Sequence, residues 1–132
     1  MVAREIYRRA LALLQEEDTD GANYDSDRFE STAPRLINLL CTLLDDLDLH
    51  IKGRRFHESQ SEPRSIETLD DEVLLHPVIC AGVLPLGLAF LLISEEDTSR
   101  AGLFFKLYEQ EKDALRRRFK QSRRHRITSV YS

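Results

Sequence analysis

The densest group of side chains able to do chemistry is Asp45, Asp46, Asp48 and His50. Asp46 and His50 stand four apart, which on a helix puts both on one face, a spacing that can share a metal ion. A metal-dependent all-α hydrolase built on Asp45, Asp48 and His50 is one reading of this cluster. Such a site needs several paired acids on facing helices, however, and Asp45 with Asp48 is the pair well placed inside a predicted helix. The solvated acidic face of a helix accounts for the same residues without a metal. The other histidines, His57, His76 and His125, are scattered and show no ligand spacing. Glycine-rich phosphate loops of the GxxxxGK[ST] or GxGxxG kind do not occur. Nucleophile, base and oxyanion donors cannot be assembled, so no catalytic residue, metal or cofactor is assigned.

Charge carries more information once it is divided along the chain. Residues 112–126 hold Lys112, Arg116, Arg117, Arg118, Lys120, Arg123, Arg124 and Arg126 against the single acid Asp113, a net +7. The whole chain is −4, so the remainder carries −11 and the molecule is two-ended. Such a chain can pair head to tail with its own copies or offer its basic end to a polyanion. Nucleic-acid readers interleave aromatic or polar base-reading side chains with their basic ones, and in this run Phe119 is the sole aromatic. Docking on an acidic protein surface is therefore the favoured use, with a nucleic-acid-binding helical module as the alternative and non-specific DNA contact allowed. The residues assigned to partner contact are Arg116, Arg117, Lys120, Arg123, Arg124 and Tyr131.

The elements that must position these residues are helices. At 132 residues the chain suits one domain, and 21 leucines against ten aromatics and no tryptophan favour helix over strand. Residues 2–15 place Ala3, Ile6, Tyr7, Ala10, Leu13 and Leu14 three or four apart, an amphipathic helix whose arginines exclude a signal-peptide core. A loop to about residue 25 follows. Phe29, Ala33, Leu36, Ile37, Leu40, Leu43, Leu44, Leu47 and Ile51 then mark a second helix, with Gly53 as its terminator. Pro34 means that this helix starts near Ser31 or Thr32, or starts at Ser26 and kinks. Residues 53–66 read as a mobile connection, and Thr68 with Asp71 resembles a capping box opening a short turn.

The third helix, residues 78–93, has no charged or strongly polar side chain. A membrane span needs about 20 apolar residues, and this run of 16 is bracketed by acids. Burial in protein is the expectation, with Pro85 kinking the helix and Gly82 and Gly87 admitting close neighbours. Cys41 and Cys80 lie in apolar stretches without CxxC spacing and read as buried thiols. A fourth helix follows the acids after Ser94, lining Ala101, Phe104, Phe105, Tyr108, Leu115 and Phe119 on one face to about Gln121. Residues 127–132 switch to strand-favouring types and read as an extended tail. The whole is an all-α bundle of four main helices with a kinked apolar third helix, spanning 1–132 as one domain.

The C-terminal half also carries a resemblance. Ser65-Ile66, Leu69-Asp70-Asp71-Glu72, Val83-Leu84-Pro85-Leu86-Gly87-Leu88-Ala89, Glu95-Glu96-Asp97, Phe104-Phe105, Tyr108-Glu109, Ile127 and Val130-Tyr131 follow one another in this order. The succession resembles small structural proteins encoded in prophages of Gram-positive bacteria, of the tailed-phage head-tail connector (neck or adaptor) kind. It differs in Leu86, which stands where an aromatic is expected, and in the stop directly after Tyr131-Ser132. The resemblance implies a non-enzymatic virion component, made in the bacterial cytoplasm, that forms a homo-oligomeric ring and binds portal and tail-completion proteins. It implies no covalent chemistry and no membrane.

Overall fold

A computed structural model describes residues 1–16, 26–53 and 65–131, with side chains described for 1–15, 28–53 and 65–119. The order of elements is α1 (Ala3–Glu16), α2 (Ser26–Leu43), α3 (Asp45–Lys52), a π-helical segment (Ile79–Val83), α4 (Leu84–Ile93) and α5 (Thr98–Tyr131). The fold is all-α. Among the described residues there is no strand, and Val2 and Glu72 form an isolated antiparallel bridge. The expected loop to residue 25 and most of the expected connection at 53–66 lie outside the described residues.

α4 sits at the centre because its sequence leaves it no polar face to turn to water. Leu84, Leu88, Ala89 and Ile93 are fully buried, and α1, α2 and α5 pack around the helix. Each neighbour contributes one apolar stripe at helical spacing: Ile6, Ala10 and Leu14 from α1, Phe29, Ala33, Ile37 and Leu40 from α2, and Ala101, Phe104, Tyr108 and Leu115 from α5. No helix among the described residues is long and apolar enough to cross a membrane.

Pro85 shapes the entry to this central helix. Its ring clashes with, and its missing N–H leaves unpaired, the carbonyl four residues earlier. That carbonyl belongs to Ala81, and Arg9 Nη1 on α1 donates to it at 3.2 Å. The preceding turn widens to π geometry, with the Leu84 N–H bonding to the Ile79 carbonyl. Helical geometry begins at Pro77, where the missing donor costs nothing.

The second helix departs from the expected single run. It begins at Ser26 with Pro34 inside it, and Leu44 divides it into α2 and α3. Hydrogen bonds continue across the division, Leu44 N–H to Leu40 and Asp48 N–H to Leu44. The acids Asp45, Asp46 and Asp48 then fall in the first turn of α3, where the helix dipole favours them. Gly53 closes α3 in the left-handed conformation, φ 71°, with its N–H on the His50 carbonyl.

Residues 65–76 form an irregular strap held by backbone bonds. The Asn38 side chain clamps Ile66 from both sides, donating to its carbonyl at 2.8 Å and accepting from its N–H at 2.9 Å. Thr68 and Asp71 make a turn: Asp71 Oδ2 accepts from the N–H groups of Glu67 and Thr68. The Leu69 and Asp71 carbonyls accept from Arg4 and Ala3, taking up donors at the start of α1 that have no partner within the helix.

The C-terminal expectation is corrected. Residues 127–131, expected as an extended tail, continue α5 as helix to Tyr131. Once a helix is running, each further residue adds a hydrogen bond without a new nucleation cost, and the propensity penalty of Ile, Thr or Val is only about 0.5 kcal/mol each. The preceding arginine-rich turns are good helix formers and carry the helix through. The N-terminus of α5 is set by Asp97, whose carboxylate accepts from the Arg100 N–H at 3.1 Å.

Two glycines and one turn give measurable expectations. A Cβ on Gly87 would lie 2.8 Å from Leu40 Cδ2 and 3.0 Å from Tyr108 Cε2, both in the core, whereas one on Gly102 would meet nothing within 4 Å. Gly87→Val should lower stability by about 1–3 kcal/mol from overpacking, and Gly102→Ala should raise it by up to about 1 kcal/mol from helix propensity; urea denaturation reads both. The N–H groups of Thr68 and Glu67 hold the Asp71 carboxyl below its ordinary value. A pKa lowered by folding stabilises above the unfolded value and is lost as pH falls through the folded one. The stability difference between wild type and Asp71→Ala should therefore be largest at neutral pH and shrink on acidification below the usual carboxylate range.

Candidate interaction surface

Asp48 and His50, two members of the polar cluster on α3, are taken up by the fold. Asp48 is buried, at 6% exposure; Oδ1 accepts from the His76 N–H at 2.7 Å and Oδ2 pairs with Lys52 at 2.8 Å. His50 Nε2 lies 3.3 Å from the Arg116 carbonyl, which can only accept, so Nε2 carries a proton. Asp45 and Asp46 remain at the surface. Among the described residues no group of three or more His, Cys, Asp or Glu gathers as a metal site. His76 does comparable work: its Nδ1 accepts from the Val78 N–H at 3.1 Å, and its ring meets Phe119 edge-on at 6.2 Å. The polar residues that looked chemical thus fasten the strap and α3 to α5.

The two thiols are free, Cys80 buried and Cys41 half-buried. Desolvation pushes the Cys41 thiol up to about 12 and raises that of Cys80 as well. Both stay protonated near neutrality and are poor nucleophiles.

The basic run lies on α5, and its members are not equivalent. Lys112 is largely buried: it pairs with Glu109 at 3.1 Å and sits 4.5 Å from the Tyr108 ring centroid. Its charge is spent within the molecule. Arg118 lies over the Phe119 ring at 5.6 Å. Arg116 and Arg117 are exposed, Arg116 only loosely paired with Asp113 at 3.8 Å. Lys120, Arg123, Arg124 and Tyr131 occupy register positions on the same helix, beyond the described side chains.

Helical geometry brings all six assigned residues together. At 3.6 residues per turn, Arg116, Arg117, Lys120, Arg123, Arg124 and Tyr131 fall within an arc of about 120°, centred about 130° from the buried line of Ala101, Phe104, Tyr108 and Leu115. An extended tail would have taken Tyr131 off this face. From Arg116 onward this side of the helix would carry basic charge, with Asp113 and Glu109 on the same side in the turns before it, a surface suited to an acidic partner.

Sequence reasoning missed an apolar component. Leu39 and Leu43 on α2 and Leu103, Phe105 and Leu107 on α5 are exposed, although Leu43 and Phe105 belong to the apolar lines expected to be core. Phe105 packs against Phe90 with ring centroids 5.2 Å apart and planes tilted by 51°, beside a shallow hollow of about 320 Å³ lined by Ser94, Thr98, Ala101 and Gly102. The edge of the Tyr108 ring lies against Gly87, its buried hydroxyl has no hydrogen-bond partner among the described residues, and desolvation raises its pKa. Helical spacing could have found Leu103 and Leu107 as a stripe separate from the core line, because they stand four apart on another side of the helix.

If Asp48 is structural, Asp48→Ala should cost about 1–3 kcal/mol by stranding the His76 N–H, and divalent cations should shift the melting temperature of neither wild type nor variant. Comparison of the chain with protein-family models, curated proteins and solved structures returns no match.

Proposed function

We propose that the chain is a non-enzymatic virion component: a head-tail connector subunit that assembles into a homo-oligomeric ring and binds portal and tail-completion proteins. The single observation that carries this reading is the basic arc of α5, with Arg116, Arg117, Lys120, Arg123, Arg124 and Tyr131 on one side of a continuous helix. The sequence resemblance over residues 66–131 supplies the class of partner. Asp48 and His50 serve in this reading as structural fasteners that orient α5. The finer architecture that goes with the reading is a bundle of four main helices bent at Pro85, with α2 and α3 counted as one.

Rings form from heterologous contacts when the rotation between neighbours closes. A two-ended chain suits such contacts, because the basic segment of one subunit can meet acids elsewhere. In this arrangement the arc of α5 faces the acidic surface of the portal or tail protein, and docking is salt-dependent.

Co-purification with the portal and tail proteins of the same virion tests the reading. Wild type should be retained, and a charge-reversed chain, Arg116→Glu with Arg117→Glu, Lys120→Glu and Arg124→Glu, should lose retention at least tenfold while keeping its helical circular dichroism. No retention of the wild type, together with duplex-DNA binding that falls steeply with salt, would instead identify a nucleic-acid-binding module.

A further inference from the structure

His76 is the residue at which the strap becomes helix. It stands directly before Pro77, the first helical position, and a following proline disfavours helical geometry at His76 itself. The His76 carbonyl accepts from the N–H groups of Ile79 and Cys80 at 2.9 and 3.2 Å, and its Nδ1 accepts from the Val78 N–H at 3.1 Å. His76 is thus the N-cap of the helical run that leads into α4, using a ring nitrogen where Ser, Thr, Asp or Asn would use an oxygen. An imidazole fills this role only while Nδ1 is bare.

His50 and His76, both half-buried, have opposite proton requirements. His50 Nε2 donates to the Arg116 carbonyl at 3.3 Å, a bond that the neutral ring and the imidazolium can both make. A proton on His76 Nδ1 would instead set one donor against another, the Val78 N–H. Protonation therefore leaves the first bond in place and breaks the second.

The charges around the junction are committed elsewhere or of the wrong sign. On α3, Asp48 accepts from the His76 N–H at 2.7 Å and pairs with Lys52 at 2.8 Å, while Asp45 and Asp46 lie at the surface. In the strap, Glu72 pairs with the Met1 amino group at 3.0 Å. α5 brings cations to this end of the bundle, Arg116 and Arg118, the latter over the same Phe119 ring that His76 meets edge-on. The π-helical segment adds the Cys80 thiol, which donates to the Leu75 carbonyl at 3.5 Å. The start of a helix is also the positive end of its dipole, where a cation is disfavoured.

We infer that His76 is an acid-labile latch: proton uptake at Nδ1 releases the Val78 N–H and loosens the junction between the strap and the central helix. The latched ring holds no proton on Nδ1 and the released ring can take one, so falling pH favours release. The change belongs to the range in which imidazoles alter their charge, about pH 5 to 8. Opening is local, because the burial of α4 rests on apolar contacts that carry no proton. The latch is independent of what the basic side of α5 binds.

Nuclear magnetic resonance of the full chain, titrated from about pH 8 to about pH 5, tests the latch. At the alkaline end, long-range nitrogen–proton correlation spectra should show His76 with its proton on Nε2 and Nδ1 bare. On acidification the Val78 amide should follow the same titration curve as the His76 ring. Its hydrogen-exchange protection, corrected for the intrinsic rate at each pH, should fall about fivefold, the size of effect an N-cap bond gives. Protection of residues 86–93 should stay unchanged. His76→Asn places an accepting oxygen at the cap and should keep Val78 protected across the whole range, whereas His76→Ala should leave it unprotected throughout. His50→Gln, which keeps a donor for the Arg116 carbonyl, should titrate at Val78 like wild type.

A His76 ring that carries its proton on Nδ1 at the alkaline end overturns the latch. So does Val78 protection that holds or rises while the His76 ring titrates, or that is lost in His76→Asn as in wild type. Loss of protection in residues 86–93 together with Val78 would mean global acid unfolding and would equally refute a local device.

Discussion

Everything in this fold depends on a helix that has no side it can show to water. The run from Val78 to Ile93 contains no charge, and its last ten residues form α4, in which Leu84, Leu88, Ala89 and Ile93 are fully buried. Burial of this much apolar surface is the dominant favourable term, and it is available only if protein surrounds the helix. α1, α2 and α5 are accordingly amphipathic, each giving α4 one stripe. Gly87 sets how near α2 and α5 can come, because Leu40 and Tyr108 occupy the space a side chain would need. The hydrogen bond from Arg9 to the Ala81 carbonyl offsets the backbone cost of Pro85 at the head of the same helix.

The surrounding polar chemistry serves that arrangement. Asp48 ties α3 to the strap through the His76 N–H, and the His50 ring reaches the α5 backbone at Arg116. His76 then meets Phe119, about three turns beyond Tyr108 and one beyond Leu115 on α5. These contacts aim the second half of α5, so the residues that resemble a catalytic cluster instead orient the basic helix. Ion pairs at the surface, such as Arg4 with Asp70 and Glu30, add little of their own, being solvent-exposed.

Much of this was legible in the sequence because helical period is a strong signal. The stripe of α1, the apolar run of α4 and the buried positions Ala101, Phe104, Tyr108 and Leu115 follow from spacing alone. The division of the second helix at Leu44 was not legible, since hydrophobic period continues unbroken across it. Residues 127–131 misled because their strand propensity is a weak local preference that an already running helix overrides. Leu43 and Phe105 misled for a different reason: periodicity shows which residues are apolar, not how many sides of a helix find neighbours. The grouping of the basic residues was legible, but the neutralisation of Lys112 by Glu109 and Tyr108 required the packing to be seen.

The enclosure of α4 by protein is the most direct point of attack. Native-state hydrogen exchange followed residue by residue should find the amides of residues 86–93 among the slowest in the chain. They should open only with global unfolding, with a free energy matching that from denaturant titration. Exchange of these amides at the rate of frayed helix ends, well below the global unfolding free energy, would contradict the enclosure and with it the reading of the fold.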